Sequence, residues 1–210
     1  MTQRGTLSFA VVCVAASLAC GGGDSVPEAD QAAPPPEGVS GVAPAATQGI
    51  PSVVTLTPVG AGPAAAPVDH ALLDQLSLSF MPKELMVQSG QTVDFKNSES
   101  LAHNVHITFV DDESSVFHAD MEPGASTHTL LDREGGYDVT CQEHPGMRAF
   151  LFVTSAPYAT FAAIDGTFMI RDVPEGAYTV AVWNATPTLR SERRVEISGA
   201  ATVLDLAPLP

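Results

Sequence analysis

Three side chains that can bind a metal crowd into residues 141–147, whose sequence is "CQEHPGM". Cys141 offers a thiolate, His144 an imidazole and Met147 a thioether. The chain has three cysteines, and the other two lie at positions 13 and 20 of an N-terminal apolar segment. Cys141 therefore has no cysteine in the folded region with which to form a disulfide bond. A bound metal ion would use the unpaired thiol.

The strand pattern that ends at Cys141 directs its thiol inward. In "YDVTC" the side chains of Tyr137, Val139 and Cys141 share one face of a predicted strand. Pro145 and Gly146 then turn the chain, so that the following methionine and the preceding histidine can fold back toward the sulfur. A single short loop is thus predicted to present three ligands.

A fourth ligand is predicted in "LAHNVHITFV". His103 shares a face with Val105 and Ile107, whereas His106 lies on the other face. Sulfur ligands favour Cu(I) and imidazoles suit copper, and a trigonal His2Cys set with a weak axial methionine is the arrangement of blue-copper electron-transfer sites. Zinc is disfavoured because methionine is not among its usual ligands. The remaining histidines, His70, His118 and His128, are expected to lie on the surface.

The first 20 residues predict export. Arg4 precedes an apolar run from Leu7 to Ala19, which is too short to span a bilayer and ends in small residues. Its end, "SLAC", resembles the lipobox of bacterial lipoproteins, which implies that Cys20 is lipidated and anchors a periplasmic or outer-membrane lipoprotein to its membrane. An ordinary signal peptide is the alternative. In either case the thiol of Cys141 enters an oxidising compartment.

Charge and composition set further limits. The chain has 24 acidic and 9 basic residues and a formal net charge of −15, and removal of the signal with Arg4 makes it one unit more negative. Nucleic acid is disfavoured as a partner, because phosphate binding needs clustered lysine and arginine. Residues 21–49 are rich in glycine, alanine, proline and acid, and we predict a disordered tether there.

The rest of the chain predicts an all-β fold. Short alternating or β-branched runs are separated by turn residues, which is typical of a β-sandwich or Greek-key barrel. After Ser155 the pattern restarts with "YATFAAIDGTFMIRDVPEGAYTVAVW". This last part of the chain is short for an independent core, so we expect it to depend on other strands.

"AHNVH" together with "YDVTCQEHPGM" resembles the cupredoxin family of plastocyanin- and amicyanin-like blue copper proteins. The resemblance covers about residues 70–154 and implies a Greek-key β-sandwich with one type 1 copper site. It also implies that the side chain of Asn104 ties the two ligand loops together. Ala102 and the pair Gln142-Glu143 depart from the common family pattern, and these departures bear on the reduction potential. The copper ligands that the resemblance implies are His103, Cys141, His144 and Met147.

A second resemblance concerns residues 165–183, "DGTFMIRDVPEGAYTVAVW". They are similar to the carboxypeptidase-regulatory-like family, a transthyretin-like β-sandwich that usually begins with a "GxVxG" and a "VxL" strand. The matching segments here, "GVSGV" and "VVTL", lie at 38–42 and 53–56, before the cupredoxin region. We therefore predict a cupredoxin domain at 50–155 inserted into a second sandwich, which consists of 156–210 and is completed by strands within 38–58.

These features predict an exported electron carrier and not an enzyme. An oxidase or nitrite reductase would need further copper sites with additional histidine clusters. The expected partner is a redox protein such as a c-type cytochrome or a dehydrogenase. Two alternatives stay open: a copper-binding protein for sequestration or delivery, and a copper-free structural lipoprotein.

Overall fold

The computed structural model describes residues 38–62, 64–65, 67–199 and 201–207. The predicted signal, Cys20 and the first part of the tether lie outside the described residues. The described part confirms the predicted all-β fold, with one 3-10 helix at Pro187–Leu189 and no helix long and apolar enough to cross a membrane. Its strands are β1 Gly38–Val42, β2 Val53–Pro58, β3 Ala71–Gln75, β4 Phe80–Met81, β5 Glu84–Gln88, β6 Thr92–Asn97, β7 His103–Phe109, β8 Ser115–Met121, β9 Ser126–Leu130, β10 Gly135–Thr140, β11 Arg148–Thr154, β12 Tyr158–Phe161, β13 Thr167–Ile170, β14 Gly176–Trp183, β15 Ser191–Ile197 and β16 Ala201–Asp205.

The first sandwich is built from the nine strands β3 to β11. One sheet has the order β4-β3-β6-β9 and the other the order β5-β11-β10-β7-β8. Several neighbours, such as β5 with β11 and β10 with β7, are far apart in the chain, which is typical of Greek-key connections. A continuous core of buried apolar side chains fills the space between the sheets and includes Leu73, Phe95, Ile107 and Leu151.

The second sandwich has a three-stranded sheet, β13-β1-β16, and a four-stranded sheet, β12-β2-β14-β15. Strand β1 lies in the middle of the first sheet, antiparallel to β13 and parallel to β16. Strand β2 lies between β12 and β14 and is antiparallel to both. Both early strands therefore occupy interior positions in sheets whose other strands come from the last third of the chain.

The predicted tether overlaps the predicted strand at residues 38–42, and the structure has a strand there. Residues 38–42 form β1, Val39 is fully buried, and Ala43 is almost fully buried in the same core. Gly41 makes this possible, because a Cβ atom there would lie 1.8 Å from the carbonyl oxygen of Leu204 on the neighbouring strand. The apolar content of this stretch is low, but one buried valine and a glycine that allows close backbone approach suffice for an interior strand.

The connection between the sandwiches runs through two adjacent strands. Strand β2 ends at Pro58, β12 begins at Tyr158, and Tyr158 is paired with Leu56. These two strands are antiparallel neighbours, and all nine strands of the first sandwich lie between them in the chain. We propose that the first sandwich is an inserted domain, and that its N-terminal boundary follows β2 instead of lying at residue 50.

The two sandwiches also contact each other through Trp183 at the end of β14. Its ring stacks on Phe150, with centroids 5.4 Å apart, and meets Phe152 edge-on at the same distance. A Cβ atom on Gly136 would lie 2.5 Å from the indole, so this glycine allows the ring to approach the sheet. The guanidinium of Arg190 lies over the indole, 4.8 Å from its centroid.

We expect Trp183→Ala to lower the free energy of unfolding by about 3 kcal/mol. This value is at the lower end of the range for tryptophan-to-alanine substitutions, because the side chain of Trp183 is only partly buried. Trp183 is the single tryptophan, so chemical denaturation must be followed by far-UV circular dichroism instead of fluorescence. Trp183→Phe, which keeps an aromatic ring in the same place, should recover part of the loss. Unchanged stability in the alanine variant would contradict the packing described.

Candidate metal centre

The order of the strands brings the predicted ligands to one end of the first sandwich. Strand β7 begins at His103, and β10 ends one residue before Cys141. The two strands are antiparallel neighbours, with Thr140 opposite His106, so the start of β7 and the end of β10 lie at the same sheet end. Along β7 the side chain of His103 is buried and that of His106 is half-buried, as the alternation predicts.

Three of the four predicted ligands converge. The Cys141 Sγ atom lies 3.8 Å from Nδ1 of His103 and 3.9 Å from Nδ1 of His144. One donor atom from each residue lies within 4.8 Å of the others, and no other group of three His, Cys, Asp or Glu residues in the described ranges is as close. His103 and Cys141 are 2% and 4% exposed, while His144 is half-buried. The site is therefore closed to solvent except beside His144.

The loop 141–147 is closed by its own backbone. The Cys141 N–H donates to the carbonyl oxygen of Met147 at 3.1 Å, and the Met147 N–H donates to that of His144 at 3.2 Å. Gly146 has φ +101°, a conformation that favours glycine. The side chain of Met147 is 3% exposed and belongs to the same core cluster as that of Cys141. The turn signal Pro-Gly thus produces a loop that holds the fourth predicted ligand in the core beside the site.

Asn104 connects the two ligand segments. Its side-chain oxygen accepts a hydrogen bond from the Gln142 N–H at 2.8 Å, and its carbonyl oxygen accepts one from Nε2 of Gln75 at 2.9 Å. Asn104 is 3% exposed, so both hydrogen bonds are shielded from water. This bond between the segments is the one that the family resemblance implies.

Glu99 is a functional candidate that the sequence reasoning missed. Nε2 of His103 donates to its carboxylate at 3.1 Å, and the other carboxylate oxygen accepts the N–H of Leu78. The pKa of Glu99 is held below its usual value, first by the Leu78 N–H and also by the hydrogen bond from His103. An ionised Glu99 fixes the proton on Nε2 and leaves Nδ1, which faces Cys141, free to bind a metal. The only signal in the sequence is an acid four residues before the histidine, in "SESLAH".

The acidic residues near the β7–β8 turn have other partners. Asp111 is paired with Arg190 at 2.6 Å and Asp112 with Arg133 at 2.7 Å. Met121 is buried in the core of the first sandwich. These three residues therefore take part in ion pairs and in core packing.

The chain is similar to known copper-binding proteins. Residues 69–154 match the family of copper binding proteins described as the plastocyanin/azurin family. The chain is 32% identical over 79 residues to plastocyanin of Ginkgo biloba, covering 33% of this chain and 80% of that protein. It is 28% identical over 99 residues to the methylamine utilization protein MauL of Methylophilus methylotrophus, covering 45% of this chain and 56% of the length of that relative. Among solved structures, amicyanin from Paracoccus versutus is 25% identical, with 47% of this chain and 98% of that chain covered and a TM-score of 0.37.

A β-sandwich that gathers histidine, cysteine and histidine at one end defines a protein of the cupredoxin class. The chain belongs to the plastocyanin/azurin family of copper-binding proteins. Lipidation at Cys20 and the resemblance of residues 165–183 to carboxypeptidase-regulatory-like domains stay predictions.

Proposed function

We propose that this protein carries single electrons between redox partners through one type 1 copper ion held by His103, Cys141, His144 and Met147. The observation that carries the proposal is the spacing of the donor atoms around Cys141. Metal–nitrogen and metal–sulfur bonds of about 2.0 and 2.3 Å that meet at a trigonal angle place their donor atoms about 3.7 Å apart. The Sγ to Nδ1 distances of 3.8 and 3.9 Å fit that arrangement without movement of the side chains.

A copper ion in this set would supply one-electron chemistry between Cu(I) and Cu(II). The chain holds the donors in place by contacts that do not involve the ion. Glu99 fixes the tautomer of His103, Asn104 binds the backbone after Cys141, and the loop closes on itself at Met147. Donors held in this way rearrange little, and burial of the thiol excludes water from the centre.

The half-buried edge of His144 is the proposed exit for the electron, and the surface around residues 97–101, the segment that supports His103, is partly apolar. Leu78 is 50% exposed and donates its N–H to Glu99, and Leu101 is 47% exposed with its carbonyl oxygen bound to Asn97. Both backbones are thus attached to the segment that supports His103. We propose that a redox protein such as a c-type cytochrome or a dehydrogenase docks on this end of the sandwich. Export, with anchoring through Cys20, would place both proteins in the periplasm or at the outer membrane.

Copper sequestration or delivery uses the same ligands and is the alternative, but it favours an open, exchangeable site. Repeated reduction and reoxidation of the copper-loaded protein in the presence of a Cu(I) chelator separates the two functions. A carrier should lose and regain its visible absorption over many cycles with its copper retained. Transfer of copper to the chelator at the first reduction would instead identify a delivery protein.

Met147→Leu should keep the visible absorption and raise the reduction potential, because removal of the weak axial donor favours Cu(I). Spectroelectrochemical titration measures the change. Met121→Leu is a matched control, because Met121 is equally buried in the same core but is not a predicted ligand. A potential that is unchanged or lower in Met147→Leu would exclude the thioether as a ligand.

Glu99→Gln should weaken copper binding by about 10- to 100-fold, because a single amide oxygen replaces two carboxylate oxygens that now hold His103 and the Leu78 backbone. Competition against a chelator of known affinity measures the effect. Glu143→Gln removes the same charge from an exposed residue of the ligand loop and should change affinity far less. Equal losses of copper affinity in the two variants would mean that the negative charge, and not the hydrogen bond to His103, supports copper binding.

A further inference from the structure

Two histidines that the centre does not use face each other on the outer surface of the first sandwich. His106 on β7 is paired directly with His118 on β8. Their rings meet edge to face, with centroids 5.8 Å apart and planes at 65°. His106 lies on the opposite side of the sheet from the buried His103, and the side chain of His118 is 45% exposed. The sequence predicts a surface position for His118 and does not pair it with His106.

Oxygen donors lie beside this histidine pair. Asp120 follows His118 by two residues on β8 and so shares its face; its Oδ1 atom lies 3.5 Å from Nε2 of His118, and its side chain is 85% exposed. The side-chain amide of Gln142 reaches to 3.5 Å from Nδ1 of His106. The nitrogen and oxygen of a glutamine amide are assigned from hydrogen bonding. The amide oxygen of Gln142 can therefore occupy the position near His106 instead of the nitrogen.

We propose that His106 and His118, with Asp120 as a third donor, bind a divalent transition-metal ion such as Cu(II) or Zn(II) outside the buried centre. Imidazole and carboxylate are donors for these ions. Directly opposite residues of an antiparallel pair have Cβ atoms about 5 Å apart, so both imidazoles can bind one ion that lies between them.

Binding requires rotation of exposed side chains. In the present arrangement Nε2 of His106 is hydrogen-bonded to the hydroxyl of Ser115 at 3.0 Å, an exposed contact that rotation of the ring breaks. Arg148 lies on the same face of the sheet but two strands away from His106, because Thr140 lies between them. The charge of Arg148 is paired with that of Asp138. The carboxylate of Asp120 lies beside the histidine pair.

The position of this second site separates it from the buried centre. His106 follows His103 by three residues on one strand, so their Cα atoms are about 10 Å apart along the strand and their side chains lie on opposite sides of the sheet. The second sandwich covers the same outer face, but at Gly136, Phe150 and Phe152. The site is therefore open to solvent, and an ion there need not enter the core.

The test uses the full mature chain reduced with copper in its buried centre, so that the protein is diamagnetic, and Zn(II) as the probe. Imidazole NMR resonances of His106 and His118 should shift together and saturate at one equivalent of zinc, while those of His70 and His128 stay in place. His118→Ala should lose the saturable zinc-dependent shifts. The control His128→Ala removes an exposed histidine from the other sheet and should keep these shifts.

Zinc shifts that do not saturate, or that are the same in His118→Ala and the unaltered protein, would overturn the proposal. The result is independent of the electron-transfer function. If the buried centre did not hold copper, zinc would enter it and shift the resonances of His103 and His144, which are distinct from those of the outer pair. Asp120→Asn should weaken zinc binding at the histidine pair and leave the pairing of β7 with β8 intact.

Discussion

His103→Ala is expected to abolish the visible absorption of the Cu(II)-loaded protein and to leave the fold in place. His103 supplies one of the two imidazoles within 4 Å of the thiol, and no other histidine in the described residues lies there to replace it. Absorption spectra of the two proteins after addition of one equivalent of Cu(II) measure the loss. The alanine opens a cavity in a buried position, so far-UV circular dichroism must accompany the spectrum.

The matched control for this variant is His70→Ala. His70 is a half-exposed histidine that precedes β3 of the same sandwich, and it is hydrogen-bonded to Asp94. Its loss should leave the absorption unchanged. If His106→Ala lost the absorption while His103→Ala kept it, the assignment of the inward face of β7 would be wrong by one residue.

The second large effect is expected from a chain that begins at Asp69 and therefore lacks β1 and β2. Removal of β1 leaves β13 and β16 without their shared neighbour, and removal of β2 separates β12 from β14. The second sandwich should lose most of its protection from deuterium exchange over residues 158–206. The visible absorption should survive, because every predicted ligand and both sheets of the first sandwich are retained.

A chain that begins at Gly38 is the control, since it keeps all described strands and should exchange like the mature protein. Trp183 gives an independent signal, because the single tryptophan loses its packing against Phe150 if the second sandwich loosens. Equal protection in both shortened chains would show that the C-terminal strands stand without the early ones. The inserted-domain architecture would then be replaced by two domains in series.

Local patterns account for what the sequence predicted correctly. The all-β class follows from many short alternating runs. The inward direction of His103 and Cys141 follows from alternation within one strand each. His103 and Cys141 come close together because the start of β7 and the end of β10 lie at the same end of the sheet. Three predicted donors converge there.

The features that the sequence reasoning missed depend on tertiary structure. Glu99 meets His103 because of the path of residues 97–103, which no periodicity describes. The pair His106–His118 depends on the register of β7 against β8, which shifts between Ile107 and Thr108. The expectation that residues 38–42 join the C-terminal strands comes from the family resemblance and not from a local pattern, because their partner in β16 lies more than 150 residues later.

The central claim, a type 1 copper centre built on Cys141, is tested most directly by the absorption spectrum of the purified protein loaded with Cu(II). The account predicts an intense visible band from sulfur-to-copper charge transfer, because the thiolate binds the ion directly in a site closed to water. The band should be absent from Cys141→Ser prepared in the same way. A loaded protein that stays colourless and binds zinc in preference to copper would contradict the claim.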